Sequence, residues 1–253
     1  MKDEQLKQFD EEGFFILEDL FTGEEMDELT SQVDYYVDEH SAKLKQEEQG
    51  GVGVSRANEI TFTAHLVKKN AYFQQFCAHP KFVEITTAIL GGDVSLYWDQ
   101  AVYKRPETAK DFPWHQDNGY GLVLSDEYVT CWLAMEDATI ENGCIWVKPR
   151  THKDGIIEHQ KTPIGWQCYF GEDPGIPVEL KKGSMVVFSS LLFHRSGPNV
   201  SDNIRKGYIL QYIPTHTKNI KTGKVFKKMV IAKEGKAYLD TSYIEEQDHN
   251  AAK

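Results

Sequence analysis

From residue 93 to 214 the chain is broken into short runs rich in Val, Ile, Tyr, Phe and Trp, with Gly, Pro, Asn and Asp between them. The runs are VSLYWDQAVYK (94–104), EYVTCWLAM (127–135), GCIWVKP (143–149), GSMVVFSSLLFH (183–194) and RKGYILQYIP (205–214). β-Branched and aromatic side chains fit a pleated, half-buried surface, and the turn residues between runs end each strand. The spacing therefore predicts an all-β sandwich or barrel. No helical period of comparable strength separates the runs, which argues against a doubly wound parallel sheet.

The residues before this region read as helical. Thr22 and Glu25 form a capping-box pattern, and Met26, Leu29, Val33 and Val37 follow at helical spacing as a buried stripe. Gly13–Leu17 just ahead reads as a short strand. A second helix is expected from Pro80 to the Gly91-Gly92 stop, with a mobile turn or loop at Gln49–Gly53. The fold class is mainly β with flanking helices, in one domain over 1–253: a helical part (about 1–92), a β core (about 93–214) and a lysine-rich segment (215–253). Between Lys218 and Lys236 that segment carries seven lysines against one Glu, read as a solvated stretch or an anion-facing patch.

Composition removes several functions. A formal charge of −11 argues against general nucleic-acid binding, which needs a basic surface for phosphates. No apolar run approaches the ~20 residues of a membrane helix, and MKDEQLKQFDEEG lacks the apolar stretch of a signal peptide. Cys77, Cys131, Cys144 and Cys168 stand apart and read as buried thiols of a cytoplasmic protein.

Two His-x-Asp triplets occur, His115-Gln-Asp117 and His152-Lys-Asp154, where chance alone gives ~0.6. His152 lies among turn residues. His115 ends a strand-like stretch, where residues i and i+2 point to one side, so His115 and Asp117 can aim at one atom. Alone, this pair reads as a surface His beside a solvated Asp. A second cluster changes the balance. His194 closes the apolar run 183–194, Ser196 shares its face, and 197–203 is turn-forming. A hairpin there brings Arg205 back beside both. Arg205, Gly207, Ile209 and Gln211 share a face, with Gly207 leaving room against the sheet. A buried guanidinium needs an anion, and no Asp or Glu occurs between Arg205 and Lys233, so a bound carboxylate is a serious option. Two histidines and a carboxylate make a facial triad with three open positions, suited to non-heme Fe(II).

Three stretches carry a family resemblance: Trp114-His-Gln-Asp117; Cys131–Glu136 with Asn142-Gly-Cys through His152; and His194-Arg-Ser-Gly-Pro-Asn199 with Arg205. Together with Glu12-Gly-Phe-Phe-Ile and Phe21–Met26, they resemble the phytanoyl-CoA dioxygenase family of Fe(II)/2-oxoglutarate oxygenases over about 9–214. The resemblance implies a double-stranded β-helix, or jelly-roll, with iron held by His115, Asp117 and His194. It implies 2-oxoglutarate held at its distal carboxylate by Arg205 and Ser196, with Trp132 and Gln100 beside it. Dioxygen is then the oxidant and a small molecule the substrate. His152 falls in the family's proline-to-histidine loop, away from iron. Halogenating relatives lack the carboxylate, so Asp117 points to C–H hydroxylation. The rivals are a non-catalytic or sensory jelly-roll and a cupin-type zinc or manganese enzyme, and Arg205 discriminates against the second. Tyr97, Trp114, Asn118, Tyr120 and His65 are the candidates for the substrate cleft.

Overall fold

The computed structural model describes residues 1–46, 51–52, 55–56, 58–106, 110–120 and 127–244. Two antiparallel sheets face each other, and four helices cover the outer face of the larger one. The helices are α1 (Asp3–Glu12), α2 (Gly23–Leu44), α3 (Ala71–Cys77) and α4 (Pro80–Leu90). The twelve strands of the two sheets are β1 (Phe14–Leu17), β2 (Ile60–Ala64), β3 (Val94–Lys104), β4 (Phe112–His115), β5 (Val129–Ala134), β6 (Ile145–Lys148), β7 (Ile176–Val178), β8 (Met185–Ser189), β9 (Phe193–Ser196), β10 (Arg205–Pro214), β11 (Met229–Lys233) and β12 (Lys236–Asp240). The major sheet runs β1-β8-β5-β10-β3-β11-β12, with β2 also on β3; the minor sheet runs β7-β6-β9-β4. This is the mainly β jelly-roll with flanking helices.

Period-two alternation divides the side chains between two cores. On β5, Cys131 and Leu133 face the helices, while Trp132 and Ala134 face the minor sheet. The helix stripe Met26, Leu29, Val33 and Val37 is buried against the outer face of the major sheet. Each such side chain contributes roughly 1.5–3 kcal/mol. The start of α2 is fixed as its sequence dictates: Thr22 Oγ1 accepts from the Glu25 amide at 3.2 Å, and Glu25 Oε2 accepts from the Thr22 amide at 2.7 Å. Pro80 opens α4, and Gly91 ends it at φ 95°.

Several expectations change. The run 183–194 is two strands, β8 in the major sheet and β9 in the minor one. Ser189 breaks it: the Leu191 amide donates to its hydroxyl at 3.2 Å, and the Leu192 amide donates to its carbonyl at 2.9 Å. No hairpin joins His194 to Arg205. Both edges of β9 are filled, by β4 and β6, so β10 pairs with β3 and β5 in the opposite sheet. The first ninety residues are not purely helical, because β2 extends the major sheet along Gln100–Lys104 of β3. In the lysine-rich segment, β11 and β12 continue the same sheet, and every lysine between 218 and 236 except the half-buried Lys228 is exposed. Of the expected loop at 49–53, Gly51–Val52 pairs with Ser55–Arg56, and the remainder lies outside the described residues. Among the described residues, no helix is long and apolar enough to cross a membrane.

Candidate active site

His115 and His194 face each other across the β4–β9 ladder of the minor sheet, as direct register partners. Asp117 opens a short 3-10 turn immediately after β4 rather than continuing the strand, and the turn swings its carboxylate back over the two rings. Asp117 Oδ1 lies 3.8 Å from His115 Nε2 and 3.5 Å from His194 Nε2, with the imidazole centroids 4.1 Å apart. One ligand atom from each residue falls within 4.8 Å of the others.

Neighbouring groups fix which atoms face inward. His115 Nδ1 donates to the Pro113 carbonyl at 2.8 Å, and His194 Nδ1 donates to the Leu192 carbonyl at 3.0 Å. Both Nε2 lone pairs therefore point toward the centre of the cluster. Asp117 Oδ2 accepts from Thr130 Oγ1 at 2.6 Å and from Gln211 Nε2 at 2.9 Å, which leaves Oδ1 for the cluster. Burial, reinforced by His194, pushes His115 down to about 3, so its ring is neutral and available as a ligand. Burial opposes ionisation of Asp117, but His194 beside it and the Thr130 hydroxyl hold its carboxyl below the usual carboxylate range. The donor set, two imidazoles and one carboxylate without thiolate, suits Fe(II).

The cluster lines a cleft between the sheets, and Gln100, Trp132, Ser196 and Arg205 line the same cleft. Arg205 reaches it from β10, across the barrel rather than around a hairpin. It is 1% exposed, its Nε has no hydrogen-bond partner, and no carboxylate pairs with it among the described residues. Its guanidinium carbon sits 5.2 Å from the centre of the Trp132 ring. The space expected over Gly207 is filled by that indole: a Cβ on Gly207 would meet Trp132 Cζ2 at 2.5 Å. Gln100 Oε1 accepts from Trp98 Nε1 at 3.2 Å. A buried cation without a protein counter-ion, opposite a metal-type cluster, fits the far carboxylate of a dicarboxylic 2-oxo acid.

The substrate-cleft candidates are scattered. His65 and Tyr97 line a different cavity, beside Trp98 and Lys228. Trp114 packs with Cys168 and Phe193. Asn118 is buried, its amide bound to the Ser190 carbonyl at 3.1 Å, and the side chain of Tyr120 lies outside the described residues. His152 Nε2 donates to the Asp10 carbonyl at 3.0 Å and is not one of the clustered ligands. Thr130 and Gln211 were not assigned from sequence, although alternation from Trp132 and Arg205 places both on the inner face.

Comparison with known proteins agrees with this architecture. A model of the family described as "Phytanoyl-CoA dioxygenase (PhyH)" matches residues 9–207. A Caenorhabditis elegans protein described as "Probable phytanoyl-CoA dioxygenase" is 30% identical over 154 residues, covering 54% of this chain and 49% of that protein, so the chain spans about half the length of this relative. The peroxisomal phytanoyl-CoA dioxygenase of Rattus norvegicus is 25% identical over 235 residues, 83% of this chain and 67% of that one. The structure of EvdO2 from Micromonospora carbonacea var. aurantiaca, complexed with 2-oxoglutarate, superposes with a TM-score of 0.69 at 19% identity, covering 88% of this chain and 95% of that one. With the family pattern matched across most of its length, the chain belongs to the phytanoyl-CoA dioxygenase family.

Proposed function

We propose that the protein is a non-heme Fe(II)/2-oxoglutarate-dependent dioxygenase that hydroxylates a C–H bond of a small molecule, with release of succinate and carbon dioxide. The observation that carries this reading is the unpaired, buried Arg205 in the same cleft as the His115–Asp117–His194 cluster. His115, Asp117 and His194 would hold the iron, and Arg205 with Ser196 would hold the distal carboxylate of 2-oxoglutarate. When bound, iron with 2-oxoglutarate supplies the activation of dioxygen that the side chains cannot perform.

The chain's own groups set the geometry. Thr130 and Gln211 keep one Asp117 oxygen occupied, so the carboxylate presents the other. The Pro113 and Leu192 carbonyls lock the two imidazole tautomers. Ile60, Phe62, Phe112 and Phe188 form apolar walls that keep water from the oxidising centre. The binding of 2-oxoglutarate by EvdO2, a protein of the same fold, supports the co-substrate assignment. Four buried, unpaired cysteines support a reducing, cytoplasmic setting.

The test is an anaerobic titration of the Fe(II)-loaded protein with 2-oxoglutarate. The expected result is a metal-to-ligand absorption band, followed in air by substrate-stimulated succinate release. Absence of the band in protein shown to contain iron refutes the reading. A band without succinate across acyl-CoA, amino-acid-derived, compatible-solute, phosphonate and natural-product substrates indicates a binding or sensory protein.

A further inference from the structure

Lys104, the last residue of β3, is 0% exposed and lies directly across the β3–β10 ladder from Arg205. Two cationic side chains thus enter the same end of the barrel. The charged and titratable groups facing Lys104 are Arg205 on β10, Arg195 on β9, Asp111 before β4 and Cys144 before β6. Asp111 is taken by Arg195, at 2.7 Å. Lys104 is instead held by neutral oxygens of one short segment: its ammonium donates to Ser196 Oγ at 3.2 Å, to the Ser196 carbonyl at 3.4 Å and to the Gly197 carbonyl. Gly143, at φ +85°, leaves room for this crossing. A Cβ there would lie 3.1 Å from Lys104 Cδ and 2.6 Å from the Gly197 carbonyl oxygen. The lysine therefore ties the major sheet to the end of the minor one at Ser196.

The polarity of the Ser196 bond has a chemical consequence. An ammonium only donates, so Ser196 Oγ is the acceptor, and its own proton must serve another acceptor. Ser196 lines the cleft together with Arg205. An oriented hydroxyl donor beside a buried guanidinium, with an ammonium behind the hydroxyl, forms a receptor for a carboxylate at one end of the cleft.

We propose that Lys104 is a positioning residue for the distal carboxylate of the 2-oxo acid. It fixes Ser196 so that the hydroxyl donates into the cleft beside Arg205. The proposal rests on the Fe(II)/2-oxoglutarate reading above. Burial, then the Arg205 charge, push Lys104 down to about 7, while the three oxygens around its nitrogen favour the ammonium form that donates to Ser196.

The experiment compares wild type, Lys104→Met and Lys104→Gln, each loaded with Fe(II) without oxygen. Calorimetry measures 2-oxoglutarate and 2-oxobutyrate, which shares the 2-oxo acid end and lacks the distal carboxylate. Both substitutions should weaken 2-oxoglutarate by about 10–100-fold and leave 2-oxobutyrate within about twofold. Unchanged 2-oxoglutarate affinity overturns the proposal, and so does equal loss of both ligands, which marks a structural role. Should neither variant fold, Ser196→Ala in the same assay decides: unchanged 2-oxoglutarate affinity without the hydroxyl overturns the proposal as well. Wild type that binds neither ligand refutes the Fe(II)/2-oxoglutarate reading itself, and this inference with it.

Discussion

Replacing Arg205 with Met should make the ligand-free protein more stable and, in the same step, abolish its response to 2-oxoglutarate. The guanidinium is 1% exposed, its Nε lacks a partner, and burial pushes it down to about 10. At neutral pH the group stays charged, so that depression is a cost carried by the folded state, about 3 kcal/mol. Methionine keeps an apolar stem against Trp132 and removes the charge. The lost contact with the Trp132 ring gives back about 0.5–2 kcal/mol. Net stabilisation is then about 1–2 kcal/mol, and a chain of this size moves about 2–4 °C per kcal/mol. Wild type with Fe(II) and 2-oxoglutarate at about 100 times Kd gains about 2.7 kcal/mol. The variant should gain almost nothing at that concentration, because removing one partner of a buried charge pair costs about 3–5 kcal/mol. Thermal melts of both proteins, with and without ligands, measure all four states. The reasoning fails if the ligand-free variant is less stable by more than about 2 kcal/mol, which would make Arg205 a structural cation. It fails equally if 2-oxoglutarate still raises the melting temperature of the variant.

Gly207→Ala places a methyl group against the Trp132 indole, where a Cβ would lie 2.5 Å from Cζ2, and should drive the ring toward Arg205. Altered tryptophan fluorescence with at least about tenfold weaker 2-oxoglutarate binding is expected, and unchanged affinity would show that the indole has another place to go. Asp99 is 0% exposed; burial drives it up to about 6, although the Val67 amide and the Tyr208 hydroxyl donate to Oδ2. A carboxyl raised above its unfolded value of 3.8 contributes stability that is complete below about pH 4 and lost as pH rises through about 6, here about 3 kcal/mol. Urea midpoints across that window should show the loss in wild type and not in Asp99→Asn; parallel curves would refute it.

The strands were legible because their signal is local. β3 and β10 begin and end where side-chain type and turn residues place them, and the Thr22–Glu25 cap marks the start of α2 from four residues alone. Partnership between strands is not local. The run 183–194 reads as one apolar strand, and only the three-dimensional context lets Ser189 satisfy the backbone and send His194 to the other sheet. The expected hairpin at 194–205 failed for the same reason: nothing in those residues says that both edges of β9 are already taken. Arg205 still reached the cleft, because alternation along β10 decides which face it occupies whichever strand lies beside it.

The two buried cations differ in legibility for a physical reason. An arginine that opens an apolar strand on its inward face, with no acid on that strand, conflicts with burial, and the conflict itself points to a ligand. Lys104 stands at the end of β3, before Arg105-Pro106, where a lysine ordinarily snorkels to water and creates no conflict. What buries it is contributed from elsewhere: the minor sheet supplies the Ser196 and Gly197 oxygens, and Gly143 leaves the passage open. Residues whose chemistry requires a partner announce a site in one dimension. Residues that become functional only because another sheet covers them do not, and in this barrel the end that would receive the dicarboxylate is built from one of each.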